Sequence, residues 1–211
     1  MSLLTGAGLA VSAGLNAYVP LLVLGLAGRL VPGVDLPDGW GWLENEWTLG
    51  ILAVLLVIEV VADKIPWVDS VNDIVQTVVR PASGGIAFGS GAGATTAVVA
   101  DPAAFFTSDA WVPVAAGVVL ALATHALKAL ARPIANAATG GLAAPIVSAV
   151  EDVGSLALSI AAIFVPVLVV VGVAGLLVWF LLGRRRAKRK RAERERSAAR
   201  AASSGSGEAA R

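Results

Sequence analysis

Apolar residues along this chain come in blocks of about twenty, the length that carries a helix across a bilayer, separated by short polar stretches. The first block, 4–30, is interrupted by Asn16-Ala-Tyr-Val-Pro20. Pro20 has no amide hydrogen for the Asn16 carbonyl. The block therefore reads either as a helix kinked at Pro20 or as a broken helix lining a cavity, with Asn16 and the freed carbonyl as ligands. Residues 31–49 form an acidic loop with Trp40, Trp42 and Trp47, residues suited to a membrane–water interface. A second block, 47–64, ends in Glu59, Asp63 and Lys64, and Pro66 terminates that helix. The pattern over 67–80 predicts a short amphipathic or re-entrant helix, with Asp69 and Asp73 on one face and Val68, Val71, Val75 and Val79 on another. A third span follows Arg80-Pro81, carrying Gly85, Gly89 and Gly93 at the spacing that lets a neighbouring helix approach closely. A second acidic loop, 101–111, precedes a fourth block at 112–131. Pro145 then opens a helix running to Pro166, and the last block is 167–182.

The pattern predicts an all-α integral membrane protein of about six transmembrane helices. Composition agrees, at 57% hydrophobic residues and a mean hydropathy of +0.80, above soluble domains. The absence of cysteine excludes disulfides and thiolate metal sites, and a single histidine argues against a zinc site. No basic stretch precedes the first block, so it reads as a retained span and not a cleaved signal peptide.

The net charge of +1 conceals an asymmetry. Residues 184–211 hold eleven Lys/Arg against three acids, whereas residues 1–183 hold five against twelve. The chain thus reads as a membrane domain, 1–183, and a basic tail, 184–211. Directly after a span, such a tail anchors the C-terminus in the cytoplasm and attracts anionic lipid headgroups; a nucleic-acid arm is the lesser alternative. The loops lacking Lys and Arg go outside, while Lys64, Arg80, Lys128 and Arg132 go inside. Counting back gives six crossings of a bacterial inner membrane with both termini cytoplasmic. A five-span arrangement is the alternative, because 134–166 reads equally as one long helix or as a re-entrant piece and a span.

Pro66–Ile74 and Pro145–Val153 share P-x-V-x-x-V-x-D-[IV] at an offset of seventy-nine residues. Three crossings per half would give units 1–100 and 112–183 opposite orientations, a 3+3 inverted repeat of the kind found in secondary transporters. A second echo, Ala82–Ala87 against Ala138–Ala143, has an offset of fifty-six and does not fit the same alignment.

Ionisable groups inside spans are costly and are candidates for function. Glu59 and Asp63, four apart, point from one helical face, and burial of like charges there requires protonation, a counter-charge or a bound cation. The candidate ion-binding set is Glu59, Asp63, Asp69, Asp73, Glu151, Asp152 and Asn16. The counter-charges are Lys64, Arg80, His125, Lys128 and Arg132. His125, Lys128 and Arg132 share one stripe, which either faces these acids or carries Lys128 and Arg132 to the cytoplasmic surface. Oxygen ligands of this type favour Mg, Mn or Ca over softer metals, without fixing which ion; no cofactor is implied.

The combination AGLNAYVPLLVLGL at 13–26, E-x-V-A-D-K-I-P-x-V-D at 59–69, R-P-x-x-G at 80–84 and A-V-E-D-V at 149–153 resembles the small bacterial multi-pass proteins grouped as domain of unknown function 4126. That resemblance covers about 5–165 and implies no activity. A looser similarity is to cation/proton exchangers with E-x-G-D-[KR]-[ST] in each half. Glu59-Val-Val-Ala-Asp63-Lys64 is one residue longer, and Glu151-Asp152-Val-Gly154-Ser155 differs in order.

The leading expectation is a small secondary transporter or exchanger of a cation or a proton-coupled solute. The alternatives are a non-catalytic subunit or assembly factor of a larger membrane complex, or a homo-oligomer, and a lipid-translocating protein. The lipid reading rests on Arg80-Pro81 and Arg132-Pro133 beside Gly-rich segments, since a guanidinium holds a phosphate bidentately. An enzyme is not expected, because no Ser or Thr has a paired base at recognisable spacing.

Overall fold

The helices follow the apolar blocks, with one break and one merger. The structure, a computed structural model, describes residues 2–64, 66–93, 109, 111–139, 144–165, 172 and 175, and among these the side chains of all but 66, 67, 69, 70, 132–138 and 144. There are six α-helices and no strand among the described residues: α1 Leu3–Leu15, α2 Val19–Leu30, α3 Glu46–Ala62, α4 Pro66–Gly91, α5 Trp111–Thr139 and α6 Ala144–Phe164. The chain divides into two compact units, Met1–Val169 and Val170–Arg211, and all six helices lie in the first. The expected loop 101–111 (Asp109 and Trp111 apart), the Gly-rich 140–143, the last span 167–182 (Gly172 and Gly175 apart) and the tail 184–211 lie outside the described residues.

The break falls in the first block. α1 ends at Leu15 and α2 starts at Val19, with Pro20 in its first turn, where a missing amide hydrogen costs nothing. Pro20 therefore begins a new helix and does not kink an old one. Asn16 makes the corner: its Oδ1 accepts from the backbone amides of Tyr18 at 3.0 Å and Val19 at 3.1 Å, taking orphan donors of the α2 terminus. At 1.5 Å per residue the two halves are about 20 and 18 Å long, each short of a hydrocarbon core of about 30 Å.

The merger is in the middle of the chain. The short segment 67–80 and the third span are one helix, α4, of 26 residues with Pro81 inside it. Pro81 removes the bond to the Thr77 carbonyl, but Gln76 and Arg80 before it and Ser83, Ala87 and Phe88 after it are all buried. Packing on both sides of Pro81 holds the helix together. Pro66 correspondingly opens α4, while α3 ends earlier, at Ala62.

α1 packs on α4, α5 and α6, and α4 packs along α5. The closest approach is not on the predicted Gly85–Gly89–Gly93 row. A Cβ at Gly84 would lie 2.8 Å from the Gly117 carbonyl oxygen, and one at Gly117 would meet Gly84 and Phe88, so α4 and α5 touch through their backbones. Gly85 and Gly89 face Val114 and Trp40, which is packing, whereas Gly93 lies beyond the helix at φ +78°. Trp47 and Trp42 are exposed as expected, but Trp40 is buried against Gly89.

The distribution of polarity is inverted relative to a water-soluble fold. Fully or nearly buried residues include Ser12, Asn16, Glu59, Asp63, Gln76, Arg80, His125, Lys128 and Ser155. The outward positions of α3 to α6 are apolar, among them Ile51, Val57, Val71, Ile74, Leu130 and Val153. Among the described residues, two helical stretches, Trp111–Ala131 and Pro145–Phe164, are long and apolar enough to cross a membrane.

Candidate functional site

Helical periodicity delivers charge from four helices to the broken end of α1. On α3, Leu52, Glu59 and Ala62 share the buried stripe, and Asp63 follows as the C-cap. On α4, Asn72, Gln76 and Arg80 recur every four residues, and Ser83 continues the stripe toward α1, donating to the Ala17 carbonyl. On α5, His125 and Lys128 lie three apart; on α6, Glu151 and Asp152 follow Ser148 by one turn.

Arg80 is 0% exposed. Its Nη2 donates to Glu59 Oε1 at 2.9 Å and stands 4.0 Å from Asp63 Oδ2, while Nη1 is 3.1 Å from His125 Nδ1. The other ring nitrogen of His125 is 3.3 Å from the Thr77 hydroxyl. Lys128 Nζ lies 2.8 Å from Glu151 Oε2 and 3.9 Å from Asp63 Oδ2, and it donates to the Leu15 carbonyl at 3.2 Å. Asn72 Nδ2 donates to Asp63 Oδ1 at 2.8 Å, and Asn16 Nδ2 to Asp152 Oδ1 at 2.9 Å. Asp63 thus links the Arg80–Glu59 pair to the Lys128–Glu151 pair. Tyr18 lies beside Gln76, within the field of Glu59 and Arg80.

Three acidic side chains, Glu59, Asp63 and Glu151, face two basic ones, Arg80 and Lys128, and a fourth acid, Asp152, joins the group through Asn16. Three of the group's buried polar atoms have no hydrogen-bond partner among the described residues: Glu59 Oε2, Gln76 Oε1 and Arg80 Nε. Nε and Nη2 share one edge of the guanidinium, so Glu59 engages half of the fork available to it. Chains of charge-assisted hydrogen bonds in low dielectric are strong, and unpartnered atoms within them are costly.

Of the sequence-predicted residues, the structure brings together Asn16, Glu59, Asp63, Glu151, Asp152, Arg80, His125 and Lys128. Lys128 is 6% exposed and turns inward, so the surface-anchoring alternative does not hold for it; its ammonium meets Glu151 and the Leu15 carbonyl inside, with Asp63 at ion-pair distance. Lys64 is exposed and donates to the Val60 carbonyl, so it is not a counter-charge of this group. Asp73 is half-buried, and its carbonyl accepts from the Thr77 hydroxyl. The side chains of Asp69 and Arg132 lie outside the described residues. Arg80 is committed to Glu59 and His125 and has no surface for a lipid headgroup. Among the described residues no group of three His, Asp or Glu is arranged to hold a metal ion.

Sequence reasoning missed Tyr18, Asn72, Gln76, Thr77 and the Leu15 carbonyl. The polar row 72–76–80–83 of α4 carried the signal for two of them. It also missed a second polar contact. Ser12 Oγ lies 2.7 Å from Ser155 Oγ, 2.7 Å from Ser159 Oγ and 2.8 Å from the Ser155 carbonyl, and Ser155 Oγ donates to the Ser12 carbonyl at 3.1 Å. Its trace in the sequence is the row Ser148–Asp152–Ser155–Ser159.

The model of the family described as domain of unknown function (DUF4126) matches residues 3–186. The chain belongs to this family. No curated protein and no solved structure matches it. The match takes in α1 to α6, so every residue of the charged group lies in the family's own domain.

Proposed function

We propose that this member of the family is a multi-pass inner-membrane protein acting as a small secondary transporter or exchanger, with the charged group as its coupling site. The observation that carries this reading is the fully buried Arg80–Glu59 pair, continued through His125, Asp63, Lys128 and Glu151 and set against a helix broken in mid-block. Ionisable groups inside a membrane domain collect on the paths of ions and protons, and half-helix ends form the sites of many transporters. The inverted polarity of α3 to α6, apolar outside and charged inside, supports the membrane setting.

A proton fits this donor set better than Mg, Mn or Ca. Acids outnumber the basic side chains of the group, so a proton can be taken up with every ion pair kept, whereas a divalent ion would have to displace Arg80 or Lys128 from its partners. The test is flux in liposomes containing the purified protein, read with an internal pH dye while cations and solutes are offered in turn. Glu59→Gln and Asp63→Asn are expected to abolish proton-linked flux while the proteins remain monodisperse. Wild-type flux in both variants, or no movement of any solute or proton by the wild type, sinks the proposal.

A second reading is a non-catalytic subunit of a larger membrane complex. It is favoured by the pairing of each of the three acids with an internal cation, and by an apolar groove of about 610 Å³ along α6, lined by Ile146, Val150 and Val153 but by none of the charged residues. A partner that co-purifies in fixed ratio, together with absent flux, would establish it.

A further inference from the structure

We infer that the Lys128 ammonium occupies a built-in monovalent-cation seat at the broken end of α1, and that a small ammonium or alkali cation binds there when the tethered one is absent. The inference deepens the transporter reading, on which its place in a cycle rests; the seat itself is read by binding alone.

The seat has three walls. The first is the Leu15 carbonyl, the last of α1, 3.2 Å from Nζ. A terminal carbonyl of a helix is a partial negative charge without an intrahelical partner. The other two are Glu151 Oε2 at 2.8 Å and Asp63 Oδ2 at 3.9 Å, from α6 and α3. Nζ thus lies within hydrogen-bond distance of two of these oxygens and at ion-pair distance from the third, the three coming from three helices. The corner is fixed independently of Lys128, because Asn16 is held by Asp152 on one side and caps α2 on the other. Ser148, one turn before Glu151 and Asp152 on the same face of α6, is fully buried, and its hydroxyl has no hydrogen-bond partner among the described residues.

Half-helix carbonyl ends and acidic side chains are the groups with which broken helices coordinate monovalent cations. Here the cation is supplied by the chain. The flexible four-carbon stem of lysine lets it leave and re-enter, as the rigid fork of an arginine would not. The seat therefore needs no sodium or potassium from solution in the wild-type protein, and protonation of Glu151 or Asp63 would release Lys128 from it.

The experiment is thermal unfolding of the full-length protein in detergent at constant ionic strength, with sodium, potassium, propylammonium or choline as the cation. Lys128→Ala removes three carbons and the nitrogen, the atoms that propylammonium would restore. Wild type is expected to give the same midpoint in all four salts. Lys128→Ala should unfold several degrees lower in choline and regain at least half of that loss in propylammonium, with a smaller gain in sodium or potassium. Adding Glu151→Gln should abolish the gain. If Lys128→Ala does not fold in choline, it is extracted in each salt, and recovery of monodisperse protein in propylammonium becomes the readout. No rescue by any cation overturns the seat, as does an equal rescue of Lys128→Met, whose side chain fills the space. Failure of rescue with proton flux intact removes the seat alone, and rescue without flux removes the transporter reading alone.

Discussion

α1 meets its neighbours through two polar contacts that solve the same problem differently. One turn before its end, Ser12 is joined to Ser155 and Ser159 by hydroxyls that are all satisfied. At its end, four helices bring charges together, and three buried atoms around Arg80 have no partner among the described residues. Neutral hydroxyls can donate and accept as the neighbour requires, so such a contact settles into one complete arrangement and acts as a fastener. Carboxylates accept only and guanidinium donates only, so the charged group has a fixed sum of donors and acceptors that one proton changes. The complete contact holds; the incomplete one can respond.

The difference is testable by breaking each side. Arg80→Met should have the largest effect, leaving Glu59 buried beside Asp63 with its main counter-charge gone. Removing one partner of a buried pair costs about 3–5 kcal/mol, read as a lowered unfolding midpoint. Restoring most of the loss with the double variant Arg80→Met/Glu59→Gln would show that the cost lies in the orphaned charge. Gly117→Val comes next, since its side chain would enter the Gly84 backbone and Phe88; overpacking of this kind costs about 1–3 kcal/mol and should loosen α4 from α5, read by hydrogen exchange. Ser12→Ala should cost about 0.6 kcal/mol, the average for a hydrogen bond between membrane helices, and should leave proton flux unchanged. Lys64→Ala, on the exposed side of the α3 end, should stay within about 0.5 kcal/mol of wild type; a larger loss would place Lys64 back among the counter-charges.

Those two contacts also differ in how far they were legible. Glu59 and Asp63 stand out because acids four apart in an apolar block are costly wherever they point, and the stripe of His125 and Lys128 is visible for the same reason. The corner at Asn16–Pro20 announces itself through a proline that cannot continue a helix. Spacing assigns a face to each residue, however, and not the neighbour that this face meets. For that reason Lys128 read equally as a surface anchor, and the Leu15 carbonyl, a backbone atom, left no trace at all. The serines were invisible because neutral small residues cost little in any setting. Pro81 misled by being a genuine local breaker that packing on both sides overrides, which joined two expected elements into α4.

The contacts that fix the end of α1 are remote in sequence. Lys128 reaches Leu15 across 113 residues, Asp152 reaches Asn16 across 136, and Ser155 and Ser159 reach Ser12 across 143 and 147. Synthesis runs from the N-terminus, so α1 and α2 are complete long before the groups that close their corner exist. During that interval the Leu15 carbonyl, the Asn16 amide and the Ser12 hydroxyl must be met by other partners, in water or in a chaperoning neighbour. The final arrangement is locked by α6, the last helix described. A chain ending at Thr139 would retain every residue of α1 and α2 and still lack the hydroxyls that Ser12 engages and the carboxylate that holds Asn16. The order of synthesis thus makes the sixth helix the clasp of the first.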